Sequence, residues 1–277
     1  MNYRHAYHAG NFADVVKHSL LTLIIGHLRQ KDSAFCVVDT HAGIGRYDLK
    51  ADEAGKTGEF RQGIGRLLAG GVLPPLLDGY VAAVRAVNPA WPSLDYYPGS
   101  PLIARSLLRP DDRLAAVELH PEDARRLKAE FAGDRQVGVH LADGFQALKA
   151  LLPPKERRGV VLIDPPFEAT DEIHRIVHGL GAALRRWPTG IYAIWYPIKT
   201  SAPVDRFRGE MAAFGRPCLT AEVLLGPAGA GERLSGSGMA VINPPWRLDE
   251  ALAELLPILG DRLAAAGGTR LTWLIRP

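Results

Sequence analysis

Short apolar runs recur along the first two thirds of the chain, and stretches with helical spacing lie between them. The runs are largely free of polar residues, which is typical of strands buried on both faces of a parallel sheet. The runs occupy residues 34–38, 114–117, 137–141, 160–163 and 191–195, and helices are predicted at residues 121–131, 144–152 and 171–187. This alternation predicts an α/β fold with a doubly wound, mostly parallel sheet.

Two regions depart from the alternation. Late strands are predicted at residues 219–225, 239–242 and 271–275. The Gly- and Ser-rich link at 226–238 favours an antiparallel hairpin between the first two of these strands. Residues 50–99 contain many Gly and Pro around helical pieces such as 74–87, so we predict a small helical insertion between strands one and two. We expect residues 1–277 to form one domain.

Composition and charge narrow the class of protein. The chain of 277 residues carries 33 Lys and Arg against 30 Asp and Glu, a net charge of +3 that is compatible with a nucleic-acid partner. No apolar run approaches the ~18–20 residues of a membrane span, and the first residues lack the apolar segment of a secretory signal. Cys36 and Cys218 are isolated, which excludes CxxC redox and zinc frameworks. We therefore expect a soluble, cytoplasmic protein.

Acidic residues follow four successive predicted strands. They are Asp39, Glu118, Asp143 and Asp164. Because open parallel sheets bind ligands beyond the carboxyl ends of their strands, these acids predict a polar, ligand-holding rim.

A glycine turn follows the first strand at Gly43-Ile44-Gly45, where glycines let the backbone approach a ligand closely. The turn is not a dinucleotide fingerprint, because Asp48 stands where the third glycine is needed. A P-loop is excluded as well, because Lys50 stands where its first glycine would precede Gly55-Lys56-Thr57.

The motif Asp164-Pro165-Pro166-Phe167 follows the fourth strand. Two prolines stiffen the chain and remove two N–H donors, so the Asp164 carboxylate and the Pro165 carbonyl can accept both hydrogens of an exocyclic amine. Phe167 offers a flat face for a base. A second copy, residues 243–246 (Asn-Pro-Pro-Trp), follows a late strand. Its position after this strand, and not after the fourth, indicates a structural role and not a catalytic one.

These features together resemble class I S-adenosylmethionine methyltransferases that modify exocyclic amines. More closely, the chain resembles the 23S ribosomal RNA adenine-N6 methyltransferase J family. The blocks that carry the closer resemblance are residues 8–18, 39–47, 96–101, 118–121, 142–145, 164–167 and 236–246. The resemblance implies a Rossmann-like class I methyltransferase fold with a helical insertion, an S-adenosyl-L-methionine cofactor and a monomer.

The resemblance also assigns roles to individual residues. It makes Asp164 the catalytic acid, and it implies cofactor contacts for His18, His41, Ser100, Glu118, Asp143 and Gly144. It places Tyr3, His5 and Lys17 in an amino-terminal segment that handles the substrate. Phe167 stands where relatives often have Tyr, which keeps the stacking face. By itself, Ser100 before Pro101 is typical of a helix N-cap, and only the resemblance makes it a cofactor contact.

The expected function is S-adenosylmethionine-dependent N6-methylation of a specific adenine in 23S ribosomal RNA. The Asp-Pro-Pro-Phe motif alone also permits a DNA adenine or protein glutamine N-methyltransferase, and a non-catalytic RNA-binding module with a cofactor fold is a third hypothesis. We expect no metal, since His174 and His178 lack the glutamate of a zinc-protease motif (Arg175 stands there).

Overall fold

The structure is a computed structural model that describes residues 4–168, 171–226, 234–263 and 265–277. Within these ranges the strands are β1 (Cys36–Asp39), β2 (Arg46–Asp48), β3 (Tyr96–Pro98), β4 (Arg113–Glu118), β5 (Val137–Leu141), β6 (Gly159–Ile163), β7 (Ile191–Ile198), β8 (Cys218–Leu224), β9 (Gly236–Ile242) and β10 (Gly268–Ile275). The α-helices are α1 (Phe12–Leu28), α2 (Asp52–Thr57), α3 (Glu59–Gln62), α4 (Ile64–Ala69), α5 (Asp78–Ala86), α6 (Ser100–Ser106), α7 (Pro121–Glu130), α8 (Gly144–Ala150), α9 (Glu172–Arg186), α10 (Ser201–Ala213) and α11 (Leu248–Arg262). Short 3-10 helices lie at His5–Tyr7 and Pro75–Leu77.

Eight strands form one mixed sheet in the order β10-β8-β9-β7-β6-β1-β4-β5. All neighbours from β5 to β7 are parallel, and β1 pairs with β4 on one side and β6 on the other. The chain thus winds outward from β1 in both directions, and the doubly wound α/β prediction is confirmed. The crevice where such sheets bind ligands lies between β1 and β6, where the direction of winding reverses.

The last third of the sheet is antiparallel. Strand β9 runs against both β7 and β8, and β10 runs against β8. The predicted β8–β9 hairpin is therefore confirmed. Strand β9 begins at Gly236, inside the stretch predicted as a link, and residues 227–233 of that link lie outside the described residues.

Helices on both faces of the sheet explain why the apolar runs do not alternate. In β1, Val37 packs into one apolar cluster with Leu21 of α1, whereas Val38 packs into another with Leu180 of α9. All five residues of β6 are buried. For β5 the expectation of burial on both faces is wrong, because β5 is the edge strand and most of its residues are partly or fully exposed.

Two elements beside β1 were not predicted from the sequence. Residues 50–99 contain helices α2 to α5, but β3 within them also pairs with β2 to form an antiparallel ribbon in which Tyr47 faces Tyr97. Three-residue strands are too short to leave a hydrophobic pattern. Helix α1 has buried residues all around its axis, so it lacks the polar face that identifies a surface helix.

Candidate functional site

The carboxyl ends of β4, β5 and β6 open onto one cavity of about 1040 Å³. Glu118, Asp143 and Asp164 line it together with Ser100 and Phe167. Asp39, the fourth acid of the predicted rim, is only 1% exposed and does not line the cavity. The structure therefore brings three of the four strand-end acids to a shared cavity.

Glu118 is held by backbone amides at the end of β4. The N–H of Gly43 donates to its Oε2 at 2.9 Å, and the N–H of His120 donates to its Oε1 at 2.8 Å. Burial raises the pKa of Glu118, and these amides oppose the rise. Gly43 has φ +64°, a conformation that glycine adopts without strain, so the glycine turn presents an N–H to the acid. Each oxygen keeps a lone pair for a ligand.

Asp143 has both oxygens engaged. Its Oδ1 caps α8 by accepting from the N–H groups of Phe145 and Gln146, at 2.9 and 3.0 Å. Its Oδ2 accepts from Arg175 at 2.7 Å, and that guanidinium also lies over the Phe145 ring, 4.5 Å from its centroid. Arg175 reaches this acid from α9, a link that the sequence analysis missed.

Gly144 has a local packing role in the structure. A Cβ at this position would come within 2.2 Å of the Thr40 carbonyl oxygen, so only glycine lets α8 approach the end of β1 this closely. The Gly144 backbone lines the cavity beside His41.

His41 is neutral near pH 7, because burial lowers its pKa to about 4. The Thr40 hydroxyl donates to the Leu162 carbonyl at 2.9 Å, so it accepts from Nδ1 of His41 at 2.8 Å. From this hydrogen-bond pattern we assign the Nδ1–H tautomer, which leaves Nε2 of His41 as an acceptor.

Ser100 lines the cavity but does not cap a helix. Gly99 is the N-cap of α6, and Ser100 is the first residue of the helix, without a capping hydrogen bond from its side chain. The N-cap interpretation is wrong because the helix begins one residue earlier than Pro101 suggested. The Ser100 hydroxyl instead interacts with the Asp39 carboxylate, where it opposes the rise that burial causes in the pKa of Asp39.

Lys17 of α1 forms an ion pair with Asp164. Its ammonium contacts Oδ2 of Asp164 and also lies 2.8 Å from Oδ1 of Asp14. Burial alone would lower the pKa of Lys17, but the charges of Asp14 and Asp164 raise it above its ordinary value. The side chain is 6% exposed, so Lys17 is a buried part of the site.

Asp14 connects Lys17 with the first described residues. Its Oδ2 lies 2.9 Å from Nε2 of His5 and accepts from the N–H of Gly10 at 2.8 Å. Burial opposes ionisation of Asp14, but the charges of His5 and Lys17 hold its pKa well below the usual range. Tyr3, the third predicted residue of this segment, lies outside the described residues.

His18 follows Lys17 on α1 and is buried beside two tyrosines. Its Nδ1 lies 2.7 Å from the hydroxyl of Tyr97, which lies 2.9 Å from that of Tyr80. Burial lowers the pKa of His18 well below its ordinary value, so the ring is neutral near pH 7. His18 also lines the cavity.

The chain turns sharply after Asp164. Pro165 and Phe167 line the cavity, and Phe167 has φ +51°, an unusual conformation for a residue with a side chain. The Phe167 ring packs edge-to-face on Trp195 of β7, with centroids 5.5 Å apart. Pro165 and Phe167 thus lie beside Asp164, and Trp195 is a further aromatic wall that the sequence analysis missed.

The second copy of the motif lies at the opposite end of the sheet. Because β9 is antiparallel to β7, Ile242 pairs with Tyr192 near the start of β7. The Asn243 side chain donates to the Pro188 and Gly190 carbonyls at 3.0 and 2.7 Å. This agrees with the structural role predicted from its position.

The described residues contain neither a metal-ligand cluster nor a membrane-spanning helix. No group of three or more His, Cys, Asp or Glu there is arranged to hold a metal ion. No helix in the same ranges combines the length and the apolar character needed to cross a membrane.

Known proteins share this sequence and fold over most of the chain. The family model described as "Ribosomal RNA large subunit methyltransferase D, RlmJ" matches residues 32–275. The chain is 44% identical over 278 residues to ribosomal RNA large subunit methyltransferase J of Escherichia coli K12, with 99% of each chain covered. The chain belongs to this family.

Two further relatives support membership in the J family. The protein of the same name from Haemophilus influenzae is 44% identical over 268 residues, covering 96% of this chain and 95% of the relative. A crystal structure of a Legionella pneumophila protein is 34% identical and superposes with a TM-score of 0.88, covering 96% of this chain and 97% of that one. The chain is therefore an S-adenosylmethionine-dependent methyltransferase with a Rossmann-like fold, as the sequence blocks predicted.

The cavity residues fit a cationic nucleoside cofactor of the J family. Oδ2 of Asp39 is buried and has no hydrogen-bond partner within the described ranges, so this polar acceptor is unused. Glu118 and Asp164 supply negative charge, whereas His18 and His41 are neutral and do not repel a sulfonium. These acidic hydrogen-bond acceptors and neutral rings suit S-adenosylmethionine.

Proposed function

We propose that this chain transfers the methyl group of S-adenosylmethionine to the exocyclic N6 amine of one adenine in 23S ribosomal RNA. Family membership supports a ribosomal RNA substrate of the large subunit. The observation that carries the proposal is the position of Asp164, which shares one cavity with Glu118 and Asp143. A methyl donor bound by the latter pair and an adenine at Asp164 would therefore be neighbours.

The cofactor half of the cavity is formed by residues at the ends of β1, β3, β4 and β5, together with His18 of α1. Glu118 would accept hydrogen bonds from the ribose hydroxyls, as acids at the end of this strand do in related folds. Asp143 would accept from the adenine amine through the lone pair that Oδ2 keeps beside its bond from Arg175, while Gly144 would let the backbone approach the ring. His18, His41 and Ser100 complete the wall. The cofactor supplies a methyl group on a sulfonium, which is already a strong donor, so the protein mainly provides alignment.

The target half of the cavity is formed by the turn after β6. Adenine N6 is a poor nucleophile because its lone pair is delocalised into the ring. Asp164 and the Pro165 carbonyl would accept hydrogen bonds from its two N–H groups, which shifts electron density onto nitrogen and aims the lone pair at the methyl carbon. Nitrogen gains the methyl group and loses one proton, and the electrons of the broken C–S bond stay on the cofactor sulfur. Phe167 stacks on the everted base.

The amino-terminal segment acts on the same carboxylate. Lys17 holds Oδ2 of Asp164, so Oδ1 faces the amine. Tyr3 and His5 belong to the segment that handles the RNA. His5 bonds Asp14, which in turn bonds Lys17, so movement of this segment on RNA binding would reach the catalytic acid through one buried carboxylate.

Substrate assays distinguish this proposal from its alternatives. Purified protein is incubated with methyl-labelled cofactor and with deproteinised ribosomal RNA, duplex DNA or a protein extract. We expect label in 23S RNA, recovered as N6-methyladenosine. Label in DNA or glutamine would support the second hypothesis. Cofactor binding without transfer to any substrate would support a binding module.

Three general properties complete the proposal. We expect residues 1–277 to work as a single methyltransferase domain with the insertion at 50–99. We expect the protein to be a monomer, as the family resemblance implies. We expect it to act in the cytoplasm, where ribosomal RNA is found.

A further inference from the structure

One side of the cavity extends beyond Asp164 along the end of β7. Trp195, Pro197 and Lys199 are two residues apart, so they point to the same face of the strand and its extension. Their neighbours Ile194, Tyr196 and Ile198 are buried, whereas Trp195 and Pro197 are half-buried and Lys199 is exposed. Trp195, Pro197 and Lys199 all line the cavity. The row extends roughly 13 Å from Trp195 to Lys199 at about 3.3 Å per residue.

Trp195 presents ring surface to the cavity. Its indole N–H donates to Oγ of the buried Ser237 at 3.0 Å, so its polar atom is already engaged. Its ring meets Phe167 at an interplanar angle of 74°. An aromatic ring held in this way binds a flat apolar group, and nucleic-acid bases stack on such rings without sequence preference.

Lys199 supplies a positive charge at the outer end of the row. Among the described residues no carboxylate lies within 4 Å of its ammonium, in contrast to Lys17, which has two acidic partners. A cation at the mouth of a cavity, with no carboxylate partner in the described part of the chain, is suited to a phosphate.

The size of the cavity indicates that it holds more than one group. Its volume of about 1040 Å³ lies at the upper limit of the ~300–1,000 Å³ of pockets for single small ligands. The cofactor and the target base account for the part near Glu118 and Asp164. The row along β7 lies past Asp164, on the side away from Glu118, because β7 and β4 flank β6 and β1 on opposite sides.

We propose that Trp195 and Lys199 form a subsite for the nucleotide next to the target adenine. The base of this nucleotide stacks on Trp195, and its phosphate lies at Lys199. The subsite rests on the proposed function, because it requires single-stranded RNA at Asp164. It would hold the strand on one side of the everted base, and so fix which adenine reaches the catalytic acid.

Steady-state methylation of deproteinised 23S RNA, at several salt concentrations, tests this subsite. Lys199→Gln is compared with Lys199→Arg and with Lys31→Gln, an exposed lysine at the end of the sheet opposite the cavity. We expect Lys199→Gln to raise the KM for RNA several-fold with little change in kcat. It should also reduce the slope of log KM against log salt by about 0.7, the contribution of one phosphate contact on a single strand. Lys199→Arg keeps the positive charge, so it should have the same slope as the wild type.

Trp195 is tested by Trp195→Leu and Trp195→Phe. Loss of base stacking should raise the KM for RNA about 5- to 150-fold in the leucine variant, and less in the phenylalanine variant. The affinity for the cofactor, measured by calorimetry, should be unchanged in all variants, which also shows that they are folded. If Trp195→Leu does not bind cofactor, it is not folded, and the Lys199 variants alone then test the subsite.

Two results would overturn the subsite in different ways. If the wild-type protein methylates the RNA, and Lys199→Gln has the same KM and salt slope as Lys31→Gln, the subsite is wrong and the proposed function stands. If the wild-type protein methylates no RNA, the proposed function fails and the subsite fails with it.

Discussion

At the scale of single residues, the acids around the cavity differ in which of their oxygens are engaged. Both oxygens of Asp143 are bound, by the start of α8 and by Arg175. Lys17 holds Oδ2 of Asp164, and Oδ1 has no hydrogen-bond partner in the described part of the chain. Among these acids, Asp164 therefore has the oxygen that makes no hydrogen bond to the described residues, and we expect this oxygen to accept from the target amine.

Replacing Asp164 with Asn removes the negative charge and keeps the shape. We expect kcat for methyl transfer to fall about 10²–10⁴-fold, the usual contribution of an acid–base group, with cofactor affinity retained. Asn243→Gly is the matched control, because Asn243 occupies the same place in the second motif and glycine accepts its φ of +53°. Single-turnover assays on ribosomal RNA measure both variants. Comparable activity of Asp164→Asn and the wild type would contradict the assignment.

Asp39 should reduce stability at neutral pH. Burial raises its pKa to about 6, from 3.8 in the unfolded chain, and the Asp164 charge adds to the rise. A raised acid pKa means that the folded state binds the proton more tightly, so this contribution improves stability as the pH falls from 6 to 4. At pH 7 the ionised group costs roughly 2–3 kcal/mol.

Asp39→Asn should therefore raise the free energy of unfolding at pH 7 by about 1–3 kcal/mol. The gain should shrink as the pH approaches 4, where the wild-type carboxyl is protonated in the folded protein. Urea unfolding at pH 7, 5.5 and 4 measures the effect, with Asp261→Asn, an exposed position, as control. A loss of stability at pH 7 would show that Asp39 is stabilised as a carboxylate.

The sequence predicted many residues of the site, because acids after strands and the Asp-Pro-Pro-Phe turn are local signals. Arg175 and Trp195 were missed because each reaches the site from a distant element, and its role exists only through a contact across the fold. Asp14 was missed although its contact with Lys17 lies within one helix. The spacing of α1 could have identified Asp14, since Asp14 and Lys17 are three residues apart and lie on one helix face.

At the scale of elements, α1 brings charge into the interior. It is buried nearly throughout, yet it carries Asp14, Lys17 and His18 toward the cavity. Such groups are stable inside a protein only when they are paired and hydrogen-bonded. The Lys17 ammonium lies between Asp14 and Asp164, so the helix and the turn after β6 share one charge network.

Asp14→Asn should destabilise the protein. Removing one partner leaves Lys17 with a single carboxylate, and breaking a buried ion pair costs about 3–5 kcal/mol when one charge is left uncompensated. Because Asp164 remains, we expect a loss of about 2–3 kcal/mol in urea unfolding at pH 7. Asp205→Asn, at an acid whose side chain is 66% exposed, should change stability by less than about 0.5 kcal/mol. Equal effects of the two variants would contradict the network.

Prediction of elements succeeded where a run of residues carries the signal. The buried strands β1 and β6 and the amphipathic helix α9 are examples. It failed for the β2–β3 ribbon, whose strands are too short, and for α1, whose apolar residues leave no polar face. It also misjudged β5, since an edge strand and a central strand can have the same sequence pattern.

At the scale of the whole molecule, strand direction decides which of the two Pro-Pro motifs can take part in catalysis. Strands β6 and β7 are parallel and β9 is reversed, so two similar Pro-Pro turns lie at opposite ends of one sheet. Only the turn after β6 lies at the end where the acids after β4 and β5 meet. The order of strands along the chain predicted this, because the fourth parallel strand follows those that end in Glu118 and Asp143.

We infer that this chain methylates one adenine of 23S ribosomal RNA with the help of Asp164. The most direct measurement is a map of N6-methyladenosine in ribosomal RNA from cells that lack this protein, complemented with the wild-type chain or with Asp164→Asn. We expect one adenine in 23S RNA to lose its methyl group in these cells, and we expect the wild type to restore it while Asp164→Asn does not. An unchanged map, or restoration by Asp164→Asn, would contradict it.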